Sequence, residues 1–268
     1  MKRAIYDSIV KVKQKQPLIH NITNQVVMNF TANGLYALGA LPIMASDRQE
    51  VAEMVCNSDA LVLNIGTLTE ELLESMLIAG EAANKHGIPV VLDPVAVGAT
   101  QFRSKSANRI LSEVEVSLIR GNAAEISHLA GLKTVMRGVD STEKLDHLNI
   151  IRRSIDKLSA PLLMTGEIDY VADGERIICV KNGTDLLTKV TGTGCLLSAV
   201  SAAFLAVNES AINAVTAAVS YYTVAAEKAA EITNLPGQFQ IAFLDALDET
   251  SISDVSQRLN LVELGEGL

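Results

Sequence analysis

Short apolar runs alternate along this chain with longer segments that carry helix signals. The apolar runs span residues 42–45, 60–64, 89–92, 116–119 and 162–165. Each run is continuously apolar, which is typical of parallel strands that are covered by helices on both faces. The pattern therefore predicts an α/β fold with a mostly parallel central sheet and helices on both faces.

Capping residues and glycines indicate where the helices begin and end. The predicted helices span residues 24–38, about 46–57, 67–86 and 123–130. Gly39 closes the first helix, and Ser46 with Gln49 has the form of a capping box at the start of the second. A further capped start lies at Thr67-Leu68-Thr69-Glu70, and that helix is predicted to end at His86-Gly87.

Residues 195–207 and 211–226 are apolar enough to suggest a pair of membrane-spanning helices. Asn208, Glu209 and Asn213 interrupt the first run well short of the roughly 20 residues that a span needs. The second run carries polar residues, among them Ser220 and Tyr221. We therefore expect two buried core helices and no membrane contact.

The pattern changes between residues 169 and 188. Asp173-Gly174 and Asn182-Gly183 are hairpin-type turns, which predicts a short antiparallel insertion in this part of the sheet. The chain shows no internal repeat and no linker rich in proline, glycine and serine. We therefore predict a single domain over residues 1–268.

Composition narrows the classes of function. The net charge is −9, there is no tryptophan, and the sequence contains no basic run. A nucleic-acid groove needs clustered positive charge and stacking aromatics, so this class of partner is not expected. The hydrophobic fraction of 49% suits a deeply buried sheet or an oligomer that hides surface.

The cysteines and histidines do not form a metal-binding pattern. Cys56, Cys179 and Cys195 are odd in number, and the four histidines do not pair with them at ligand spacing. The first sixteen residues are basic and polar without an apolar segment, so no signal peptide is expected. Together these features predict a reduced, cytoplasmic protein without a zinc site.

The segment VTGTGC at residues 190–195 runs directly into a helix of small apolar residues. Glycines allow the backbone to approach a ligand, and the first helical turn presents unpaired N–H groups and a positive dipole end. An anion site is therefore predicted here, although such a turn on its own can serve backbone geometry alone. Cys195 adds the one ionisable side chain of this turn, where a reacting hydroxyl could meet it.

Polar residues follow successive predicted strands. They are Asn64-Ile65-Gly66-Thr67, Asp93-Pro94, Arg120-Gly121-Asn122 and Thr165-Gly166. Any one of these groups could be a simple cap or turn. Ligands of parallel sheets gather at the carboxyl ends of the strands, so four such groups together predict a phosphate and metal site.

Asn122 and Glu125 lie three residues apart and share one side of a first helical turn. Glu125 is then placed to hold a water of a hydrated Mg²⁺, which takes few direct carboxylate ligands. Arg120 supplies a fixed positive fork of the kind that suits a transferring phosphoryl group.

With these motifs in place, the chain resembles the hydroxyethylthiazole kinases of the ribokinase-like superfamily. The matching segments are PLIHNITN (17–24), NFTAN (29–33), PIMA (42–45), LVLNIGT (61–67), residues 90–97 with Gly98-Ala99-Thr100, RGNAAEI (120–126) and VTGTGC (190–195). The resemblance covers the chain from about residue 17 to residue 247, with its motifs in the expected order, which makes it highly specific. It implies phosphorylation of 4-methyl-5-(2-hydroxyethyl)thiazole with Mg-ATP in thiamine precursor salvage. It also implies a homotrimer with active sites between neighbouring subunits.

The resemblance also assigns roles to residues of this sequence. The assigned groups are Arg120, Thr165, Asn122 and Gly194 for ATP, Met44, Gly192, Asn24, Gly66 and Thr67 for the thiazole, and Asp93 and Glu125 for Mg²⁺ and its waters. Met44 could equally be a core residue at a strand end. A polarisable thioether beside a sulfur-containing aromatic ring is also reasonable chemistry.

Cys195 stands where ribokinase-like enzymes generally place an aspartate as general base for the attacking hydroxyl. The thiazole kinases typically have cysteine there, so the resemblance holds while the role of base stays open. A position in the first turn of a helix lowers the pKa of a thiol, and nearby phosphates raise it again. The alternative is a small residue that only shapes the anion site.

Three other functions remain open from the sequence. The first is a kinase of the same fold that acts on another small primary alcohol, such as hydroxymethylpyrimidine or a sugar. The second is an acyl transferase with Cys195 as covalent nucleophile, for which no histidine partner is evident. The third is a non-catalytic nucleotide-binding regulator, which would bind ATP without turnover.

Overall fold

The computed structural model describes residues 1–132, 147–174 and 176–264. The helices are α1 (Lys2–Lys15), α2 (Met28–Leu38), α3 (Val51–Cys56), α4 (Glu70–Lys85), α5 (Gln101–Glu113), α6 (Ala123–Leu129), α7 (His147–Leu158), α8 (Thr193–Leu205), α9 (Ala211–Ile232), α10 (Pro236–Glu249) and α11 (Ile252–Arg258). The strands are β1 (Leu18–Ile22), β2 (Leu41–Ile43), β3 (Ala60–Asn64), β4 (Val90–Asp93), β5 (Leu118–Asn122), β6 (Leu162–Thr165), β7 (Asp169–Ala172), β8 (Ile177–Val180) and β9 (Leu261–Leu264). The predicted domain of residues 1–268 includes segments outside the described residues and stays a prediction.

The described strands form one sheet in the order β2-β1-β3-β4-β5-β6-β7-β8-β9. Neighbours from β2 to β6 pair in parallel. The pairs β6–β7, β7–β8 and β8–β9 are antiparallel. The predicted α/β fold is therefore confirmed, with the antiparallel section at one edge of the sheet. Because β1 and β3 to β6 run in one direction, their carboxyl ends meet at one edge, where the predicted polar residues lie.

Helices α8 and α9 lie in the largest core cluster, as the sequence analysis expected. Every residue of α8 from Leu196 to Leu205 is buried, and α9 is buried along most of its length. Within the part of the chain that the structure describes, no helix is both long and apolar enough to span a membrane. Burial of α8 matters for the site, because it fixes the first turn of this helix against the sheet.

Two predicted local structures are wrong, and one predicted helix begins later than expected. The predicted capping box at Ser46 does not form, because the side chain of Asp47 accepts from the backbone N–H of Gln49 and the helix begins only at Val51. The predicted helix at residues 24–38 begins at Met28, after a turn. Asn182-Gly183 is not a hairpin, because the Asn182 side chain binds the chain that leads into β9.

Strand β5 begins two residues later and ends three residues later than predicted, and strand β1 was not predicted. Residues 120–122 of β5 join the sheet by pairing with residues 163–165 of β6. In β1 the buried polar residues His20 and Asn21 interrupt the apolar pattern. Such buried polar side chains in a strand hide it from an analysis based on hydrophobicity.

Candidate active site

The site lies where the carboxyl ends of the parallel strands face the beginning of α8. Gly192 precedes this helix with φ of +96°, in the left-handed region that favours glycine. A Cβ atom on Gly192 would also lie 2.8 Å from Val27. The N–H groups of the first turn of α8 have no intrahelical acceptor, so they can bind an anion. The predicted anion site therefore has the required backbone geometry.

A cavity of about 970 Å³ opens on one side of this turn. It is lined by Arg120, Asn122, Thr165 and Gly194, which are the four residues that the sequence assigned to ATP. The 3₁₀ helix Asp185–Lys189 and the buried Asp169 form other parts of its wall. The cavity volume lies in the range of pockets that hold a small molecule or a cofactor.

Arg120 occupies the centre of the site. Its Nη2 donates to the hydroxyl of Thr165 at 2.9 Å, and its Nη1 lies 4.0 Å from Oδ1 of Asp93. A Cβ atom on Gly194 would lie 2.6 Å from Arg120 Nη1, so a larger residue would displace the guanidinium from its present position beside α8. The arginine thus connects the cavity, the first turn of α8 and the buried carboxylate.

Asn122 and Glu125 form a capping box at the start of α6. The Asn122 side chain accepts from the backbone N–H of Glu125 at 3.0 Å, and Glu125 Oε2 accepts from the backbone N–H of Asn122 at 2.9 Å. The other carboxylate oxygen of Glu125 accepts from the backbone N–H of Ala96 at 2.9 Å. These bonds fix the orientation of the carboxylate, and carboxylate oxygens have further lone pairs for a ligand.

Asp93 is completely buried at the end of β4. Its Oδ2 accepts from the Asn64 side chain and from the hydroxyl of Ser198, each at 2.8 Å. Its Oδ1 has no hydrogen-bond donor among the described residues. Burial raises the pKa of Asp93, whereas the charge of Arg120 lowers it. The free oxygen of a buried carboxylate is an unsatisfied acceptor that a cation or its water would satisfy.

The hydrogen bonds continue from Asp93 towards Cys195. The side chain of Asn24 donates to Asn64 Oδ1 at 3.0 Å and lies 3.5 Å from the sulfur of Cys195. A Cβ atom on Gly66 would lie 2.7 Å from Asn24. The structure therefore brings Asn24, Gly66, Asp93 and Cys195 together, although they come from four different parts of the sequence.

Comparison with known families identifies the chain. The model of the hydroxyethylthiazole kinase family matches residues 9–252. The chain belongs to this family.

Solved structures agree with membership of the hydroxyethylthiazole kinase family. A hydroxyethylthiazole kinase protein from Pyrococcus horikoshii OT3 is 40% identical, with a TM-score of 0.91 over 98% of this chain and 99% of that chain. A ribokinase-like superfamily protein from Enterococcus faecalis V583 is 11% identical, with a TM-score of 0.64 over 93% of this chain and 94% of that chain. Pyridoxal kinase from Bacillus subtilis, solved as an ADP complex, is 17% identical, with a TM-score of 0.59 over 80% and 92%. The last two show the fold alone.

In this member of the hydroxyethylthiazole kinase family, Cys195 is not an activated thiol. Its pKa is raised to about 11, mainly by burial and next by the charge of Asp93, and this is the net result after hydrogen bonds from Asn64 and Asn24 lower it. The sequence analysis left the role of Cys195 as a base open, because a helix terminus lowers the pKa of a thiol and nearby phosphates raise it. In the folded chain, burial of the thiolate is the largest cause of the raised pKa.

Two residues assigned to the thiazole lie at the periphery of the network. Met44 directly follows the edge strand β2 and is partly buried, and the next residue, Ala45, accepts a hydrogen bond from the His20 ring at 2.8 Å. Thr67 accepts from the backbone N–H of Gln25 at 3.1 Å, which fixes the segment after Asn24. The roles of both residues in binding stay predictions.

The structure adds two residues to those assigned from the sequence. Asn64 ends β3 and connects Asn24 with Asp93, and Ser198 donates to Asp93 from α8. Asn64 stood in the sequence as a polar residue at a strand end. Ser198 follows Cys195 by three residues, so helical spacing would have placed both on one face of α8.

Proposed function

We propose that this chain transfers the terminal phosphoryl group of ATP to the hydroxyl of 4-methyl-5-(2-hydroxyethyl)thiazole, in salvage of a thiamine precursor. The observation that carries the proposal is the position of Arg120 between the cavity and Asp93. The cavity would take the nucleotide, and the side of Asn24 and Cys195 would take the alcohol. Family membership supports the choice of the thiazole as acceptor.

In this proposal the protein acts mainly by positioning and by stabilising charge. Arg120 and the first-turn N–H groups of α8 meet the negative charge of the phosphoryl group during transfer. Thr165 holds the guanidinium of Arg120 in place through its hydroxyl. Met44 and Gly192, together with the Asn24 and Gly66-Thr67 segments, would orient the thiazole so that its hydroxyl faces the phosphoryl group.

The residues present suit Mg²⁺ bound together with ATP. Asp93 offers a buried oxygen without a donor, and Glu125 offers a fixed carboxylate. No group of three or more His, Cys, Asp or Glu side chains that could hold a metal occurs among the described residues. Mg²⁺ usually binds through one or two carboxylates plus phosphates and waters, so two carboxylates are enough. When bound, the ion would neutralise charge on the phosphate oxygens.

Cys195 would contribute little as a base in the free enzyme. With a pKa of about 11, its thiol is almost wholly protonated at neutral pH. A loose phosphoryl-transfer transition state depends mainly on positioning and charge neutralisation, so a strong base is not required. Cys195 then acts as a small side chain that contacts Asn24 beside the anion site.

We also propose that the protein is a cytoplasmic homotrimer in which a neighbouring subunit completes the thiazole pocket. Val26, two residues after Asn24, is 69% exposed, and the edge strand β2 leads to Met44. A neighbouring subunit that packs against this side of the site would cover the exposed side chain of Val26. Light scattering at assay concentration should give a trimer, and an active monomer would contradict this assembly.

The test of function is ADP release measured with a coupled enzyme assay. We expect turnover only when Mg²⁺, ATP and the hydroxyethylthiazole are all present. Equal or faster turnover of hydroxymethylpyrimidine or a sugar would reassign the acceptor. Binding of ATP without turnover of any alcohol would indicate a regulator, and an acyl-enzyme at Cys195 would indicate the acyl transferase.

A further inference from the structure

Arg103, in the first turn of α5, donates hydrogen bonds to backbone carbonyl groups from two different loops. Its Nη1 donates to the carbonyl oxygens of Ile65 and Val95, the second at 3.0 Å. Its Nη2 donates to the carbonyl oxygen of Gly66 at 2.6 Å. A guanidinium is a planar fork of N–H donors, so one side chain can hold several acceptors in a fixed arrangement.

The two loops that Arg103 connects follow the neighbouring strands β3 and β4. Asn64 and Asp93 are the last residues that these strands pair, and the backbone N–H of Ile65 still donates to the carbonyl of Asp93. Among the described residues, no backbone hydrogen bond joins the two loops beyond that bond. Arg103 binds carbonyl groups of both loops just after the β3–β4 ladder ends. Its guanidinium therefore holds the two loops beside each other where strand pairing no longer does so.

The loop after β4 needs such support because part of its backbone is strained. Ala96 has φ of +56°, which is unfavourable for a residue with a Cβ atom. Glu125 accepts from the N–H of Ala96, and Arg103 binds the carbonyl of the preceding residue, Val95. The charged side chains of Arg103 and Glu125 therefore hold successive residues of this loop. Of these two side chains, Glu125 belongs to the predicted magnesium site.

We propose that Arg103 is a positioning residue for phosphoryl transfer, which aligns the loop of Gly66 and Thr67 with the loop that follows Asp93. It would act through the backbone, without touching substrate. The proposal rests on the proposed function for its kinetic part. Its structural part, the fixing of two loops by one side chain, can be measured in the free protein.

Arg109 offers a matched control on the same helix. Its guanidinium binds Glu74 and Glu113, and its side chain is 41% exposed. Arg103→Met and Arg109→Met therefore make the same chemical change, and only the first removes bonds to the site loops. Arg103→Lys keeps the charge but loses the fork, so we expect an intermediate effect.

Hydrogen exchange and kinetics should be measured on all three variants, with circular dichroism as the folding control. For Arg103→Met we expect faster exchange in residues 64–68 and 94–98. We expect kcat/KM for the thiazole to fall by about tenfold to 100-fold, the size of a misplacement near 1 Å. The KM for ATP should change by less than about twofold, because the cavity is built from other strands.

Each outcome decides the proposal. If exchange in both loops matches that of Arg109→Met, or if kcat/KM for the thiazole is unchanged although the loops are loosened, the proposal is wrong. If Arg103→Met does not fold, the same comparison is made between Arg103→Lys and Arg109→Met. If the parent protein does not phosphorylate the thiazole, the proposed function fails, and the exchange result alone then decides whether Arg103 aligns the loops.

Discussion

On one side of Arg120 lies an open cavity of about 970 Å³, and on the other lies a chain of buried hydrogen bonds from Cys195 to Asp93. The cavity is formed by β5 to β7, the 3₁₀ helix and the first turns of α8. The series of buried hydrogen bonds is formed by polar side chains that donate to and accept from one another. The comparison indicates that one side is preformed for a large ligand, whereas the other is preorganised to hold reacting groups in fixed positions.

The two sides of the site also differ in how completely a single chain encloses them. None of the residues assigned to the thiazole is among the described residues that line the cavity. Their side of the site ends at the edge strand β2 and the exposed Val26. In the proposed function, a single chain would supply most of the nucleotide pocket and leave the thiazole pocket open, and this is the reason for proposing a trimer.

The largest expected effect comes from Arg120→Met, because Arg120 serves both sides. We expect kcat/KM to fall by about 10²–10³, the usual loss for one interaction made with developing charge. The substitution also leaves Asp93 buried without its nearby cation, so circular dichroism must show that the variant is folded. A folded variant with less than about tenfold loss would show that Arg120 does not meet the phosphoryl group.

A smaller effect is expected from Gly194→Ala, which displaces the guanidinium of Arg120 between the two sides without removing it. The added Cβ would lie 2.6 Å from Arg120 Nη1, and the guanidinium can move away at little cost in stability. We expect about a tenfold loss of kcat/KM with a nearly unchanged melting temperature. Gly237→Ala in α10 is the control, because its added Cβ would meet no atom within 4 Å. Full activity of Gly194→Ala would mean that the position of the guanidinium does not limit turnover.

Cys195→Ser should have a smaller effect still, with a loss below about tenfold, because a thiol that stays protonated is a poor base. Cys195→Asp should remain active, since a carboxylate supplies a base in a similar volume. Measured kcat/KM for both variants, beside Arg120→Met, tests this ranking. If Cys195→Ser loses more than Arg120→Met, or if folded Cys195→Asp is inactive, the thiol has a specific chemical role.

The smallest effect on turnover is expected for Asp169→Asn in the wall of the cavity, less than about twofold under saturating substrate. Burial raises the pKa of Asp169 from 3.8 to about 6, and its Oδ1 accepts from the backbone N–H of Gly166. Because the folded-state pKa of Asp169 lies above its unfolded value, the protonated carboxyl favours the folded state. The stability that it contributes is complete below the unfolded pKa and is lost as pH rises through about 6. The melting temperature of the variant relative to the parent should therefore be higher at about pH 8 than at about pH 4. A difference that does not change with pH would contradict the raised pKa.

The sequence by itself determined the α/β class with its mostly parallel sheet, the core helices and the candidate residues at the strand ends. Continuous apolar runs can only be satisfied by burial on both faces, so β3 and β6 were predicted with the bounds that the structure shows. The segment at residues 190–195 predicted a glycine turn that leads directly into a helix, because this property is local.

Only the tertiary structure decided what depends on contacts between distant segments. The pKa of Cys195 is raised by burial and by Asp93, which lies about a hundred residues away in the sequence, so the local argument from the helix terminus could not decide its direction. The same holds for Asn182, whose side chain binds the chain before β9 instead of closing a hairpin, and for Arg103, whose carbonyl partners lie in two other loops. Local backbone preferences are set by neighbouring residues, whereas desolvation and long-range hydrogen bonds exist only once the chain has folded.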